Sequence, residues 1–483
     1  LVFLASEGTG KREKARESVG KKKCRLFYSF KEEKVFKRVL VANRGEIAVR
    51  VIRALRALSV SSVAVYSKED QDALHSRLAD ERVCIGEGSA RNSYLNMDTI
   101  LTVAKNMGCD AIHPGYGFLS ENASFAKKCE ENGIVFIGPT AEVIDSMGNK
   151  SQARAKMREA GVPVVPGSLS VLYDVKEALE EAKKMGFPVM IKASSGGGGK
   201  GMRECFGEED FEKDFLTAQR ESANAFSDDA MYLEKLILEP RHVEVQIMGD
   251  NFGNVVALGE RDCSIQRNHQ KLVEESPSPI VSPETRKKMM EAAVKAAKSV
   301  QYTGAGTIEF IMDKSGEFYF MEMNTRIQVE HGVTELLTNT DLVMEQIRVA
   351  AGEPLSLKQE EIPFLGHSIE CRINAEIPEK NFMPSPGKIT ALHLPGGNGV
   401  RVDTALYTGY NIPMEYDSMI AKVLVLGRDR NEAIRKMKVA LEEMLVLGVE
   451  TNLDFQYKIM QSEAFREGKV DTGFVERFML SGK

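Results

Sequence analysis

Residues 306–331, GTIEFIMDKSGEFYFMEMNTRIQVEH, carry the strongest signal for fold and chemistry in this 483-residue chain. Two runs rich in aromatic and apolar residues flank the segment Asp313–Gly316, whose Asp, Ser and Gly are typical of a tight turn. The pattern therefore predicts a β-hairpin with a glutamate in each arm, Glu309 in the first and Glu322 in the second.

The register of this hairpin determines whether its acidic side chains meet. An even-numbered hairpin places Glu309 opposite Phe320 and Glu322 opposite Thr307, so the glutamates are diagonal neighbours on one face, about 7–8 Å apart. Two carboxylates on a buried face are costly without partners, and a divalent cation between them removes that cost. Mg²⁺ is the expected ion, because it takes one or two carboxylates together with substrate phosphates.

Polar residues continue at period two along the second strand: Glu322, Asn324, Arg326, Gln328 and Glu330. Largely apolar residues take the opposite face of the predicted strand. A solvated outer face would produce the same alternation. We favour a catalytic face, since amides are mixed with groups of both charges and the row aligns with Glu309.

A second signal is KASSGGGGKG at residues 192–201, four glycines between two lysines. It does not fit the phosphate loop G-x-x-x-x-G-K-[ST], because Ser194 stands at the first required glycine and Gly201 at the hydroxyl position. The flanking runs FPVMIKAS and GMRECF read as strands. The glycines are therefore predicted to form a hairpin tip that covers phosphates as a flap, with a flexible surface turn as the alternative.

Strand and helix alternate from Phe36 onward, which predicts a parallel, doubly wound unit. In its first helix the apolar residues take one face, and Arg50, Arg53 and Arg56 are expected on the opposite one. Further on, GNKSQARAKMREAG begins a helix with Asn149 as its N-cap. Lys150 then lies in the first turn, where the helix dipole disfavours a cation. We interpret it as sharing an anion with the helix terminus, a tolerated surface lysine being the alternative.

Composition narrows the classes of protein. The length favours roughly three domains, and a net charge of −6 argues against nucleic-acid binding. No apolar run approaches the ~18 residues of a membrane span. Seven scattered cysteines without a C-x-x-C pair indicate free thiols in a reducing compartment, so a cytoplasmic location is expected. The basic residues 1–36 are expected to be a disordered tail or an upstream extension of the reading frame. A transit-like segment is the less favoured alternative, because five glutamates interrupt it.

Over residues 36–478 the chain resembles the biotin carboxylase family of the ATP-grasp superfamily. The motifs that carry the resemblance are VANRGEIAVRVIRAL, HPGYGFLSEN, IKASSGGGGKGM, EKLILEPRHVEVQ, ERDCSIQRNHQK, EMNTRIQVEH, ECRINAE with PSPGKI, and YDSMIAKV. The resemblance implies a multidomain α/β and α+β fold. Its expected parts are a Rossmann-like N-terminal domain at 37–148, an ATP-grasp domain at 149–357 with a mobile lid at about 168–237, and a C-terminal α+β domain at 366–477.

The resemblance also implies roles. It assigns nucleotide contacts to Lys150, Lys192, Met202, Glu234, Lys235, Leu236, His242, Gln266 and His269, beneath a flap of Gly196, Gly197, Gly198 and Gly199. It assigns Mg²⁺, expected as two ions with Mn²⁺ as an alternative, to Glu309, Glu322 and Asn324. It assigns bicarbonate to Lys271, Arg326, Gln328 and Val329.

By the same resemblance Glu330 is the general base that deprotonates bicarbonate for attack on the γ-phosphate of ATP. The product, carboxyphosphate, collapses to CO₂ and phosphate, and the phosphate takes the N1′ proton of biotin. Arg372 stabilises the biotin enolate, and Tyr116 lies near the biotin pocket. A structural ion pair of Arg372 with Glu370 or Glu376 is the alternative for that arginine.

Two positions depart from the family pattern. Gly332 stands where the family commonly has proline, so a looser segment is expected after the base. Asn268 stands where the family commonly has arginine, which removes a charge near the pocket.

The expected partners follow from the same resemblance. The closest approach to a biotin-accepting Met-Lys-Met motif is Met437-Lys438-Val439, inside an amphipathic helix pattern, and no carboxyltransferase region is recognised. A standalone homodimeric subunit is therefore expected, working with a biotin carboxyl carrier protein and carboxyltransferase subunits. Acetyl-CoA carboxylase, hence malonyl-CoA and fatty-acid synthesis, is the leading assignment. Pyruvate or another acyl-CoA carboxylase is the related one, and a non-catalytic nucleotide-binding module is the rival.

Overall fold

The computed structural model describes residues 36–168, 170–193, 202–226 and 229–480. The predicted tail, apart from its last residue, and the predicted flap Gly196–Gly199 lie outside the described residues. Among the described residues, no helix is both long enough and apolar enough to span a bilayer.

The first part of the chain forms a five-stranded parallel sheet with helices on it. Its elements are β1 (Arg38–Val41), α1 (Gly45–Ala57), β2 (Ser61–Ser67), α2 (Leu74–Leu78), β3 (Glu81–Gly86), α3 (Met97–Asn106), β4 (Ala111–His113), α4 (Ala123–Glu131), β5 (Val135–Phe136) and α5 (Ala141–Gly148). The strand order is β3-β2-β1-β4-β5. This order confirms the Rossmann-like prediction and puts the topological switch point between β1 and β4, where such sheets bind ligands.

One prediction for α1 was wrong. Arg50 was expected on the outer face of the helix, but it is buried. Its guanidinium donates to Glu335 Oε1 at 2.8 Å and to Asp341 Oδ1 at 2.7 Å. The local pattern misled because the second face of α1 packs against another part of the chain, where these two acidic residues neutralise the arginine.

A small antiparallel unit follows. Helix α6 (Lys150–Glu159) packs against α5, and the unit itself consists of α7 (Val175–Met185), β6 (Val189–Ala193), β7 (Met202–Cys205), α8 (Glu208–Phe226) and β8 (Met231–Lys235). The strand order is β7-β6-β8, with Lys192 opposite Met202 across the segment that the structure does not describe. As predicted, Asn149 caps α6, its side chain accepting from the backbone N–H of Gln152 at 3.0 Å.

An eight-stranded sheet joins the centre of the chain to its C-terminal part. The central elements are β9 (Arg241–Gly249), β10 (Val255–Arg267), β11 (Gln270–Ser276), α9 (Pro283–Ser299), β12 (Gly304–Met312), β13 (Phe318–Asn324), α10 (His331–Thr338) and α11 (Leu342–Ala350). The sheet order is β13-β12-β9-β10-β11, continuing into three C-terminal strands.

The C-terminal elements are β14 (His367–Asn374), β15 (Glu376–Ile377), β16 (Met383–Pro384), β17 (Gly387–Lys388), β18 (Ala391–His393), β19 (Val400–Thr404), β20 (Asn411–Ile412), β21 (Met419–Gly427), α12 (Arg430–Glu443), β22 (Leu445–Leu447), α13 (Leu453–Gln461), α14 (Glu463–Arg466) and α15 (Phe474–Leu480). β14, β21 and β19 extend the eight-stranded sheet beyond β11. Residues of the central and C-terminal segments therefore meet on one sheet. Met437 is buried in α12 and Val439 is exposed on it, so this Met-Lys-Val sequence is helical, as predicted.

The hairpin of β12 and β13 forms, but its predicted register was wrong. Glu309 pairs directly with Glu322, and Thr307 pairs with Asn324. The register then shifts by one residue, so that Phe310 pairs with Phe320. Directly opposite residues point to one face with Cβ atoms about 4.5–5.5 Å apart, so the two glutamates are closer than the predicted diagonal.

The turn explains the difference. The strands close at the pair of Met312 and Phe318, which leaves five residues, 313–317, between them. Asp313 Oδ1 accepts from the backbone N–H groups of Ser315 and Glu317 at 2.8 and 3.0 Å. This local side-chain-to-backbone bonding stabilises a longer turn than the sequence count assumed.

Candidate functional site

A cavity of about 1300 Å³ opens where the first sheet meets the eight-stranded sheet. Backbone segments after β1 and β4, at the switch point of the first sheet, form one wall. The predicted site residues on its lining are Tyr116, Lys150, His242, Gln266, His269, Lys271, Glu309, Glu322, Asn324, Arg326, Gln328, Val329, Glu330 and Arg372.

The paired glutamates differ in environment. Glu309 is buried, and its carboxylate accepts from Lys271 Nζ at 2.9 Å and Asn324 Nδ2 at 2.9 Å, with His242 Nε2 at 3.0 Å. Burial alone would raise the pKa of Glu309, but Lys271 and His242 hold it well below its usual range. Glu322 is more open and lies 3.3 Å from the cation of Lys150.

These residues fit a hard divalent cation. Both carboxylates are on the same face and line the same cavity, and the amide of Asn324 follows in the row. All three side chains offer oxygen ligands, which Mg²⁺ prefers. A second grouping, His242, Glu244 and Glu309, also has ligand atoms within 4.8 Å of one another. Both of its carboxylates are buried and accept from Lys271 at 2.5 and 2.9 Å, whereas the hairpin pair includes the more open Glu322, so the hairpin pair is the better cation site.

Glu330 sits behind this pair, 2% exposed. One carboxylate oxygen accepts from Lys271 Nζ at 2.6 Å and the other from Arg372 Nη2 at 2.9 Å. Burial alone would raise the pKa of Glu330, but Lys271, Arg372 and Arg261 hold it well below its usual range. The carboxylate is therefore ionised at neutral pH, as a proton acceptor must be.

The backbone around Glu330 differs from the predicted long strand. β13 ends at Asn324, and Glu330 is the N-cap residue of α10. Residues 325–330 form a bend and a turn. Even so, Arg326, Gln328 and Glu330 all line the cavity. The predicted polar residues therefore face the same cavity, although they do not all lie on one strand.

Both predicted arginines in the cavity have carboxylate partners. Arg326 Nε donates to Glu121 Oε2 at 2.8 Å, and Arg326 Nη2 donates to Asn324 Oδ1 at 3.0 Å. Arg372 Nε donates to Glu274 Oε1 at 2.6 Å, while Arg372 Nη2 reaches Glu330. The alternative ion pairs of Arg372 with the glutamates at positions 370 and 376 were wrong, since its guanidinium bonds to carboxylates on β11 and directly before α10.

The remaining predicted nucleotide residues lie on the three-stranded sheet or directly after its strand β8, and they do not line the described cavity. They are Lys192, Met202, Glu234, Lys235 and Leu236. Lys192 and Arg154 both donate to Glu234. Burial, together with the nearby cations Arg154 and Lys150, lowers the pKa of Lys192 to about 8. The structure therefore brings the other predicted site residues that it describes together around the cavity and places Lys192 and its partner Glu234 on a separate sheet.

Sequence reasoning missed the fully buried Arg261 of β10. Its guanidinium donates to Glu244 Oε1 at 2.6 Å and to Gln328 Oε1 at 2.9 Å, so it orients two residues near Glu330. Its other acceptors are Gln246, Thr307 and Thr334. The sequence does indicate a buried charged residue here, because the charged triplet ERD interrupts the apolar strand NVVALGERDC.

An antiparallel sheet with cavity-facing carboxylates, flanked by a small sheet that carries lysines, defines an ATP-grasp enzyme, a class of ATP-dependent ligases. Family models match three consecutive segments: "Biotin carboxylase, N-terminal domain" at residues 35–144, "Carbamoyl-phosphate synthase L chain, ATP binding domain" at 149–358, and "Biotin carboxylase C-terminal domain" at 370–477. The chain belongs to the biotin carboxylase family, and it is an ATP-dependent ligase that carboxylates biotin.

The similarity extends over nearly the whole described chain. Biotin carboxylase 1 of Bacillus subtilis is 56% identical over 449 residues, which cover 93% of this chain and 100% of that protein. The solved biotin carboxylase component of a pyruvate carboxylase is 50% identical, with a TM-score of 0.85 over 92% of this chain and 98% of that one. The biotin carboxylase domain dimer of Hydrogenobacter thermophilus 2-oxoglutarate carboxylase, solved with MgADP, ADP and bicarbonate, is also 50% identical. Its TM-score is 0.83, over 92% of this chain and 98% of that one.

Proposed function

We propose that the chain carboxylates biotin held by a separate carrier protein, using ATP and bicarbonate, as the first half-reaction of acetyl-CoA carboxylase. One observation carries the chemistry: Glu330 is held between the cations of Lys271 and Arg372, in the cavity that Glu309 and Glu322 also line. That arrangement pairs an ionised base with anion-binding groups beside a cation site.

The proposed first step forms carboxyphosphate. Lys271, Arg326, Gln328 and Val329 hold bicarbonate, whose small planar anion suits ammonium and guanidinium donors. Glu330 takes the bicarbonate proton, and a bicarbonate oxygen bonds to the γ-phosphorus as the bond between that phosphorus and the β–γ bridging oxygen breaks. ADP leaves with the electron pair. Mg²⁺ held by Glu309, Glu322 and Asn324 neutralises phosphate charge when bound.

The second step carboxylates biotin. Carboxyphosphate splits into CO₂ and phosphate, and the phosphate takes the N1′ proton of biotin. The resulting enolate oxygen carries negative charge, which the permanently charged Arg372 stabilises. Tyr116, whose hydroxyl donates to Glu46, forms the wall beside this position. Nitrogen N1′ then bonds to the CO₂ carbon, giving N1′-carboxybiotin.

The nucleotide is proposed to enter between the cavity and the three-stranded sheet. Lys150, Lys192 and His242 contact its phosphates, and Glu234 to Leu236 with Gln266 and His269 hold the base and ribose. Two Mg²⁺ ions, replaceable by Mn²⁺, are proposed. Lys150 at the N-terminus of α6 and Glu322 lie 3.3 Å apart, so one phosphate–metal unit can contact both.

A biotin carboxyl carrier protein, carboxyltransferase subunits and a second copy of this chain are the proposed partners, in the cytoplasm. The Met-Lys-Val sequence lies within α12, so its lysine is not the hairpin lysine that biotin attachment needs. Recovery of tagged chain with its carrier and transferase subunits separates acetyl-CoA carboxylase from pyruvate or 2-oxoglutarate carboxylase, since the transferases differ.

Phosphate release from ATP, with Mg²⁺, bicarbonate and free biotin, tests the reaction. We expect release that depends on bicarbonate and is stimulated by biotin. A folded, ATP-binding preparation without that stimulation would refute the assignment and favour the non-catalytic nucleotide module.

A further inference from the structure

A buried lysine of the C-terminal segment touches the loop that carries the base. Lys422 lies on β21, paired in register with Arg372 of β14 and Asp403 of β19. Its side chain is 0% exposed, and Nζ donates to the carbonyl oxygen of Val329 at 2.5 Å. Val329 directly precedes Glu330, so a side chain 93 residues away holds the peptide bond from which the base extends.

The charge of this lysine is balanced at longer range. Glu46 Oε1 lies 3.7 Å from Nζ, Asp403 Oδ2 3.9 Å, and Glu370 Oε2 4.0 Å. Burial by itself would lower the pKa of Lys422, but these three carboxylates outweigh it and raise the pKa. Lys422 is therefore a charged ammonium, and the carbonyl oxygen of Val329 lies closer to its Nζ than any of the three carboxylates does.

This contact has a mechanical consequence. An ammonium is expensive to bury, so its placement against one carbonyl restrains that carbonyl strongly. The neighbouring backbone hydrogen bonds are long, since the N–H groups of His331 and Val333 donate to the carbonyls of Gln328 and Glu330 at 3.3 Å. The other contacts named above, from Arg261, Lys271 and Arg372, hold the side chains of Gln328 and Glu330 and not the Val329 carbonyl. A displacement of about 1 Å in a reacting group can cost on the order of a hundredfold in rate.

We propose that Lys422 is a positioning residue of the carboxylation reaction, which binds the Val329 carbonyl and thereby holds Glu330 in contact with Lys271 and Arg372. Its kinetic consequence rests on the proposed function, whereas the restraint on the loop does not.

The variant Lys422→Met tests the role, because it keeps an unbranched apolar stem and removes the ammonium. We expect kcat to fall at least tenfold and the KM for bicarbonate to rise several-fold, with the KM for ATP within twofold of wild type. Lys436→Met is the matched control: Lys436 Nζ also donates to a carbonyl on β21, that of Leu426 at 2.7 Å, away from the cavity. Its kinetics should equal those of the wild type.

A second variant separates positioning from charge balance. Burial raises the pKa of Glu370 well above its usual range although Lys422 lowers it, so the loss of Lys422 disfavours the charged form of Glu370 further. Glu370→Gln puts a neutral group of similar size there, at small cost to the hydrogen bonding because both carboxylate oxygens are buried without a hydrogen-bond partner. The double variant Lys422→Met/Glu370→Gln should regain thermal stability but keep the low kcat, and it replaces the single variant if that one does not fold. Recovery of kcat together with stability would overturn the positioning role.

Hydrogen exchange on the full chain tests the loop contact without any activity. Amides in residues 329–333 should exchange at least tenfold faster in Lys422→Met than in Lys436→Met, while the rest of the eight-stranded sheet is unchanged. Equal exchange in the two variants would overturn the proposal. If the wild type shows no bicarbonate-dependent phosphate release, the proposed function fails, and the exchange result still decides the loop restraint.

Discussion

Replacing Glu330 by glutamine keeps the shape of the side chain and removes its ability to accept a proton. The carboxylate now receives charge-assisted hydrogen bonds from Lys271 and Arg372. A glutamine oxygen can keep one of them, so the change costs about 1.5–3 kcal/mol of stability, the usual value for one hydrogen bond to a charged group.

Larger destabilisation is not expected, because neither cation is left alone. Lys271 keeps Glu244 at 2.5 Å and Glu309 at 2.9 Å, and Arg372 keeps Glu274. An unpaired buried charge would cost about 3–5 kcal/mol instead. The folded protein should therefore persist.

Turnover should respond far more than stability. A general base contributes about 10²–10⁴-fold to rate, which corresponds to ~2.7–5.4 kcal/mol of barrier. We expect Glu330→Gln to lower biotin-stimulated phosphate release by that factor, with ATP affinity from equilibrium binding within threefold of wild type. Glu345→Gln is the control, since Glu345 is equally buried but accepts from Ser356 outside the cavity. A parallel loss of ATP affinity and turnover would make Glu330 structural, and unchanged turnover would exclude it as the base.

Three further outcomes follow from other contacts. Glu322→Gln should raise the Mg²⁺ concentration for half-maximal phosphate release at least tenfold, measured by metal titration, because it removes one of two paired carboxylates; an unchanged midpoint would refute the cation site. Burial lowers the pKa of His75 to about 4 in the folded protein, against ~6.5 in the unfolded chain. The neutral His75 therefore adds its full share to the free energy of unfolding above pH 6.5, and this share falls by about 3 kcal/mol at pH 4, because the unfolded chain binds a proton first. The thermal stability of His75→Gln should lack that part of the loss at acid pH. Gly332→Ala should destabilise by about 1–3 kcal/mol, since a Cβ there would lie 2.3 Å from Leu424 Cδ2, whereas Gly148→Ala, with nothing within 4 Å, should not; equal melting temperatures would show that Leu424 moves aside.

Gly332 also bears on the departure from the family pattern. A looser segment was expected after the base because proline is absent there. In the structure Gly332 is buried in the first turn of α10, with Leu424 where a side chain would be. The segment after Glu330 is therefore closely packed at Gly332, where a looser segment was expected.

The acidic hairpin illustrates how far local sequence reasoning reaches. Its existence followed from residue types and a turn, and the structure confirms it. The pairing of Glu309 with Glu322 did not follow, because a five-residue turn and a register shift depend on backbone hydrogen bonds that residue counting does not see. The predicted proximity of Glu309 and Glu322 still holds, because both the predicted and the observed register leave the two carboxylates on one face of the hairpin.

Patterns of neighbouring residues were enough for the parallel unit, for the capped helix at Asn149, and for the residue types of the cavity, because periodicity and turn chemistry are local properties. Tertiary structure alone decided which groups face one another. Arg50 meets Glu335 across 285 residues, and Lys422 meets Val329 across 93. A buried charge needs an opposite charge or a hydrogen-bond partner, and the fold decides which residue supplies it. The spacing of residues along the sequence does not indicate which residue that is.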